Sequence, residues 1–319
     1  MSFSISGFTE RGLEILRVQD ESVGFGVDIV PAFGAMLHGF WIRGPQGMVN
    51  LLESYGGLEE LKSQIENSYR GVKLSPYVCR IRHGIYDFGG RSFRLEKRNP
   101  RGEALHGLLF DRPFEVLETV SAEDRAEALL RTCYGGEDPG FPFVFNCEVR
   151  FILLRPNRLH LTTRIINRAD TPMPLADGWH PYFRTGSQVD QLELEFPVKG
   201  TLEFDRDLIP TGRILPAGPS IHLNPIGARP WDQSFFLDFT QEPTVCKLRD
   251  RARDLSILLT PGPGYPILNV YIPPSRSSIA LEPLSGAPDA FNNKIGLLVL
   301  DAGARADFSF EIQGIYGNQ

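Results

Sequence analysis

The 319-residue chain is short of the features that mark several protein classes. It contains no run of 18 apolar residues, so no bilayer-spanning helix is expected. Its opening stretch, MSFSISGFTERGLEILRVQDESVG, carries acids early and lacks the apolar centre of a secretory leader. The four cysteines, Cys79, Cys133, Cys147 and Cys246, are widely spaced and form no CxxC pair. That pattern argues against a disulfide framework and for reduced, mostly structural thiols in a cytoplasm. Six histidines occur without HExxH or any close ligand spacing, which argues against a tight zinc site. A cation such as calcium, held by scattered carboxylates and carbonyls, would leave little spacing signature, so the sequence leaves that open. There is no GxGxxG turn, no strand–helix–strand alternation, no fixed-period repeat and no Gly-Ser nucleophile elbow. With a formal net charge of -6, a basic groove for nucleic acid is not expected either.

What is abundant is period-two alternation, the mark of half-buried strands. In CEVRFILL, the residues Cys147, Val149, Phe151 and Leu153 share one face. In RLHLTTRI, Leu159, Leu161, Thr163 and Ile165 oppose Arg158, His160, Thr162 and Arg164. LELEFPV repeats the pattern with Leu192, Leu194 and Phe196, and ADFSFEIQGI with Phe308, Phe310 and Ile312. Thirty-two glycines and twenty-five prolines punctuate these runs, as many short strands require. One segment reads as a helix: Leu58, Leu61 and Ile65 fall at helical spacing, with Gly71 closing it. No linker-like tract divides the chain, and its 42% hydrophobic content can fill a large core. The expectation is an all-β protein, one domain over residues 1–319, built as a large antiparallel β-sandwich.

Three stretches place an ionisable side chain where strand geometry makes it unusual. In EALHGLLF, alternation puts Ala104, His106 and Leu108 on one face, and Gly107 allows a ligand or another backbone to come close. In ADGWHPYFRTG, His180 stands between a tryptophan and Pro-Tyr-Phe. It is either a core residue with a satisfied hydrogen bond or a proton-transfer group in an aromatic-walled cleft. In SSIALEPLSGAPDAFN, Ile279 and Leu281 point one way while Ala280 and Glu282 point the other. His180 and Glu282 each precede a proline, which confines their backbone to extended conformations and suits positioned acid–base groups. Trp179, next to His180, would face away from it unless the chain bulges. Arg80 and Arg82 share a strand face around Ile81, for which a solvated surface is the ordinary reading. Asp232, beside Trp231, is a turn residue or an acid that holds sugar hydroxyls below a stacking ring. His38, His83 and His222 read as turn or surface residues, and His160 as a solvated one.

Taken in order, FGAMLHGFWIRGPQGMVNLL, CRIRHGIYDFGGRSFRL, ALHGLLFDRPFEV, GWHPYF, LIPTGRI, WDQSFFL, IALEPLSGAPDAFN and AGARADFSFEIQGI resemble the aldose 1-epimerase (galactose mutarotase-like) family across nearly the whole chain. The resemblance implies a supersandwich with a cleft that interconverts the α and β anomers of a free aldose without an organic cofactor. It places the general base on Glu282, the general acid on His180 and a second histidine near the ring oxygen on His106. It places the substrate-holding arginine on Arg80 and a hydroxyl-holding carboxylate on Asp232. Two positions depart from the family pattern: Cys79 stands where Asn is usual, and Leu108 follows Gly107 where galactose-preferring members have Gly. Relatives acting on hexose 6-phosphates need basic residues near the cleft, for which Arg70, Arg80 and Arg82 are candidates.

The chemistry implied is proton removal from the C1 hydroxyl and proton delivery to the ring oxygen. An imidazole that titrates near neutral pH and an ionised glutamate suit that exchange. The partner is then a small sugar, with no nucleic acid or membrane, and the protein a cytoplasmic monomer or homodimer. The rival readings are a sugar-binding protein without catalysis, a hexose-6-phosphate mutarotase, and a polysaccharide lyase or hydrolase.

Overall fold

In the computed structural model of the protein, which describes residues 2–240 and 242–317, the period-two segments are strands with the expected faces inward. In the strand Phe145–Leu154, Cys147, Val149, Phe151 and Leu153 are buried while Glu148 and Arg150 are half-buried on the other side. Leu159, Leu161, Thr163 and Ile165 are buried in Arg158–Asn167, as are Phe308, Phe310 and Ile312 in Arg305–Tyr316.

Among the described residues, sixteen strands join one continuous sheet. From its edge at Glu115–Ser121 it runs antiparallel through Arg125–Tyr134, Phe145–Leu154, Arg158–Asn167, Arg305–Tyr316, Leu255–Pro261 and Cys246–Asp250. It then reaches the long strand Glu193–Phe204, which is shared. The first residues of that strand pair with Cys246–Asp250, Glu193 opposite Arg249, and its later ones with Asp232–Leu237, Thr201 opposite Phe235. The register shifts between Val198 and Gly200. A bulge bends a strand and increases its twist, which lets one sheet turn back over itself as the two layers of a sandwich. The path ends through Ile267–Tyr271, Ile279–Leu284, Gly178–Trp179 and Lys73–Leu74. A separate five-stranded sheet, from Phe3–Glu10 to Gly47–Asn50, adds Phe25, Val27 and Phe40 to the same core as Phe151, Trp179 and Leu281. No helix among the described residues is long and apolar enough to cross a membrane.

Local chemistry departs from expectation at a few points. The helix forms over Leu58–Ser68 and buries Leu61 and Ile65, with Glu59 and Glu60 in the first turn where the helix dipole favours acids. It ends before Gly71. Tyr69 takes the left-handed cap (φ 50) and returns its N–H to the Ile65 carbonyl at 3.0 Å. Gly71 meets a different need, because at φ +69 an added Cβ would stand 2.2 Å from the Leu37 carbonyl oxygen. His38 is not a surface turn residue. It lies half-buried in the strand Met36–Gly44, a ring nitrogen 3.2 Å from the Tyr55 carbonyl, and burial pushes its pKa down. The strand containing Arg80 stops at Ile81, so Arg82 begins a tight turn and shares no strand face with Arg80.

Behind the strand ends lies a fully buried ion pair. Lys73 Nζ is 2.5 Å from Asp177 Oδ2 and donates a second bond to the Gly178 carbonyl at 2.9 Å. The Tyr265 hydroxyl donates to the same Asp177 oxygen at 2.7 Å, and the ammonium stands 5.0 Å from the Trp179 ring centroid. Removing one partner leaves an uncompensated buried charge. Lys73→Met is therefore expected to lower stability by about 3–5 kcal/mol in urea unfolding. Lys73→Met/Asp177→Leu should lose much less, and equal losses in the two variants would show that the charges are not coupled.

Candidate active site

Three adjacent strands form a patterned floor. In Asp232–Leu237, Ile267–Tyr271 and Ile279–Leu284, the register sets Asp232 opposite Tyr271 and Ser234 opposite Asn269. Across the next ladder, Asn269 stands opposite Glu282 and Tyr271 opposite Ala280. Because strand side chains alternate, these residues share one face. The other face carries Phe235, Leu268, Val270, Ile279 and Leu281 into the core. The larger members of this face, Asp232, Asn269, Tyr271 and Glu282, line a cavity of about 290 Å³. The cavity is lined by all five residues singled out from the sequence, Arg80, His106, His180, Asp232 and Glu282. Its wall also includes Tyr69, Cys79, Glu103, Tyr182, Asn269 and Tyr271.

Glu282 is held by its neighbours in the grid. Ser234 Oγ donates to Asn269 Oδ1 at 2.7 Å, which fixes the amide so that Asn269 Nδ2 donates to Glu282 Oε1 at 2.8 Å. Glu282 Oε2 is buried without a hydrogen-bond partner among the described residues. His180 lies between two short strands and its backbone is fixed on both sides. Its N–H donates to the Val72 carbonyl at 3.1 Å, and its carbonyl accepts from Gly71 N–H at 2.9 Å. The ring stacks on Tyr182, centroids 4.8 Å apart and 5° from parallel, and Nε2 stands 3.6 Å from Glu282 Oε1. The imidazole Nδ1 is also unpartnered, so His180 is not a core histidine with a satisfied hydrogen bond.

His106 reaches the cavity by a route the alternation did not show. The strand covers only Ala104–Leu105; His106 is left-handed (φ 59) and its N–H donates to the Cys79 carbonyl at 2.9 Å. Leu108, expected on the same face, is in the core instead. Gly107 does permit a close backbone approach, since an added Cβ would stand 2.3 Å from the Ser75 carbonyl oxygen. The His106 ring lies 4.9 Å from His180 and 4.6 Å from Tyr69. Cys79 (φ 47) and Tyr69 (φ 50) are left-handed too. With Leu208 (φ 57), four left-handed non-glycine residues thus line one cavity, as occurs where structure is spent on a site.

Several expectations fall outside the site. Trp179 is fully buried on the core side, its indole Nε1 3.2 Å from Thr163 Oγ1, so it cannot stack on a ligand. Trp231 does not line the cavity beside Asp232; the Arg229 guanidinium covers its ring at 3.9 Å. Arg70 is tied to Glu60 at 2.8 Å and Glu53 at 3.5 Å, and Arg82 to Asp205; neither lines the cavity. Arg80 does, with Nε 3.1 Å from Glu103 Oε1. Cys79, His106 and Glu282 bring a sulfur, a nitrogen and an oxygen donor within 4.8 Å of one another. Sequence spacing gave no sign of that cluster. Asn269 was also missed, although a lone Asn inside ILNVY is the kind of polar interruption that marks a facing site.

Burial sets the ionisation states. It pushes the Glu282 carboxyl up to about 8, with the Asn269 bond opposing the shift, the Asp232 charge adding to it and Arg80 opposing. It pushes His180 down to about 3 and His106 well below the usual range, the latter helped by His180 and Arg80. Asp232 is raised by burial against the pull of Arg80. Burial therefore works against the expected arrangement of an ionised glutamate beside a titrating imidazole, favouring the neutral form of the carboxyl and of both imidazoles. Glu282 binds its proton more tightly folded (about 8) than at its ordinary value of 4.5. Its contribution to stability is thus full below 4.5 and lost as pH rises to about 8. His180 runs the other way, contributing above 6.5 and losing that as pH falls toward 3. With ¹³C-labelled glutamate, the Glu282 carboxyl signal should titrate near pH 8. Asn269→Leu removes a bond that favours the carboxylate and should move the midpoint higher; a midpoint in the ordinary glutamate range would contradict the burial argument.

A family profile described as aldose 1-epimerase matches residues 22–313. The uncharacterised protein YihR of Escherichia coli (strain K12) is 25% identical over 266 residues, covering 77% of this chain and 80% of that one. Among solved structures, a galactose mutarotase-like protein from Clostridium acetobutylicum superposes with a TM-score of 0.84 at 16% identity, over 99% of both chains. A galactose 1-epimerase from Lactobacillus acidophilus NCFM does so with a TM-score of 0.80 at 15% identity, again over 99% of both. At these identities the structural likeness establishes the fold, the galactose mutarotase-like supersandwich.

Proposed function

The chain belongs to the aldose 1-epimerase family, and from that premise we propose that it is a mutarotase, opening and reclosing the ring of a free aldose by proton transfer. The observation that carries this reading is the pair Glu282 and His180. Both are buried, they stand 3.6 Å apart, and burial shifts their pKa values in opposite directions. In this reading the two groups carry one transferable proton between them, which burial favours on the carboxyl. Ring opening breaks the bond between C1 and the ring oxygen, forms the C1 carbonyl, removes the C1 hydroxyl proton and adds one to the ring oxygen. Rotation about C1–C2 and reclosure by the reverse transfers give the other anomer.

For Glu282 to act as base and His180 as acid, the proton must first pass from carboxyl to imidazole across their contact. A sugar hydroxyl donating to the unpartnered Glu282 Oε2 favours the carboxylate form and supports that transfer. His106, T-shaped to His180, is the second imidazole near the ring oxygen. Asp232 and Arg80 flank the same floor and hold hydroxyls; Arg80 is anchored through Nε, leaving its terminal nitrogens for the sugar. No step needs a cofactor. A protein that only binds sugar has no use for a carboxyl oxygen and an imidazole nitrogen kept buried and unpartnered, which favours catalysis over the binding-only reading. Of the three phosphate candidates, Arg70 and Arg82 are committed to acids outside the cavity, whereas Arg80 lines it together with Arg101, so the choice between a free and a phosphorylated sugar falls to the assay below.

Polarimetry of freshly dissolved α-D-glucose, α-D-galactose and glucose 6-phosphate tests the reading. The protein should speed relaxation of a free aldose, and Glu282→Gln should abolish this while sugar binding persists. His180→Asn should lower kcat by about 10²–10⁴-fold. Near-normal turnover in either variant removes its residue from the proton path. As kcat/KM reports free-enzyme ionisations, it should fall as pH rises through about 8, where the pair loses its proton.

A further inference from the structure

We infer that the cleft floor is also a binding site for a thiophilic divalent cation of the zinc type, held by Cys79 Sγ, a ring nitrogen of His106 and a carboxylate oxygen of Glu282. The consequence for activity rests on the mutarotase reading, because the cation would take Glu282 out of proton transfer. The three donors come from three distant chain segments, and their ligand atoms lie within 4.8 Å of one another. Tetrahedral zinc, with bonds of roughly 2.0–2.3 Å, sets its ligand atoms about 3.3–3.8 Å apart. A contraction of roughly 1 Å at the widest separation therefore closes the site.

The donors are built for a ligand rather than left over from packing. Cys79, His106 and Glu282 are only 4%, 8% and 1% exposed. His106 Nδ1 and Glu282 Oε2 are buried polar atoms without partners among the described residues. Glu282 Oε1 is already oriented by Asn269, and Asn269 by Ser234, the kind of outer shell that metal-ligating carboxylates have. Cys79 and His106 both adopt left-handed backbone, joined by a hydrogen bond from His106 N–H to the Cys79 carbonyl.

Charge supports the same conclusion. A thiolate and a carboxylate carry two negative charges, which a dication balances where each anion alone would be costly to bury. Sulfur and nitrogen donors select against calcium and magnesium, which require oxygen shells, and for zinc or cobalt. Three protein ligands leave a fourth position for water or a sugar oxygen.

The test uses the full chain, kept reduced and stripped with EDTA, then titrated with Zn²⁺ or Co²⁺ under equilibrium dialysis. One ion per chain is expected, and Co²⁺ should give a near-ultraviolet thiolate-to-cobalt charge-transfer band with tetrahedral visible bands. Cys79→Ser should remove the charge-transfer band and weaken Zn²⁺ binding by at least the roughly 10–100-fold that second-shell losses cause. His106→Gln serves as a second ligand variant should Cys79→Ser fold poorly. Cys133→Ser, which changes an exposed thiol, should keep the band. Zn²⁺ should slow mutarotation and EDTA restore it. A band lost with Cys133 instead of Cys79, or no stoichiometric binding, overturns the site. Zn²⁺ bound at one per chain with undiminished mutarotation overturns its placement on Glu282. Because the cobalt band is read without substrate, failure of the mutarotase reading would be separately visible.

Discussion

The buried ion pair between Lys73 and Asp177 is the constraint on which the cleft depends. Asp177 exchanges bonds with Ser285, its N–H to the Ser285 hydroxyl at 2.7 Å and its carbonyl from the Ser285 N–H at 2.8 Å. Lys73 follows Val72, whose carbonyl accepts the His180 N–H. One contact therefore fixes three chain segments: the strand Lys73–Leu74, the run from Asp177 to His180, and the end of the strand that carries Glu282. Burial disfavours both charges, lowering Lys73 and raising Asp177, so the pair contributes little net stability relative to apolar packing. Its value is directional. Apolar contacts at this point would tolerate sliding, and sliding of either neighbour would change the 3.6 Å separation of His180 and Glu282.

The cleft derives its chemistry from excluded water. The carboxyl near 8 and the imidazole near 3 are two consequences of one environment, because desolvation disfavours charge of either sign. The left-handed backbone at Tyr69, Cys79, His106 and Leu208 lies in the wall of the same cavity. The exclusion that makes the acid–base pair also makes Cys79, His106 and Glu282 a trap for a dication.

Much of this was legible in the sequence, for identifiable reasons. Period-two alternation survives wherever one face meets the core, so Cys147, Leu159 and Phe308 fell inward as expected. The same rule put Glu282 and Ala280 opposite Ile279 and Leu281, and turned Trp179 away from His180. Alternation failed at His106 because a left-handed residue ends the strand and redirects the side chain, and local sequence does not encode that backbone. The arginines were illegible for another reason. Whether Arg82 faces a ligand or Asp205 is decided by a partner 123 residues away. The metal-type cluster is likewise a product of tertiary structure, invisible to any spacing rule.

The position of Cys79 connects these strands of argument. Where the family pattern carries Asn, an amide beside Glu282 could donate a hydrogen bond to the carboxylate and offset burial. A buried thiol is a weaker donor, and burial also pushes its own pKa well up. Among the described residues Asn269 is the one amide bonded to the carboxyl, and burial pushes Glu282 up to about 8. For a reaction whose closing step is the reverse of its opening step, that is workable. On the mutarotase reading proposed above, the site needs no fixed acid and fixed base, only one proton that can sit on either partner. A neutral pair would supply it, and a sugar hydroxyl donating to the free carboxylate oxygen would decide which partner gives it up.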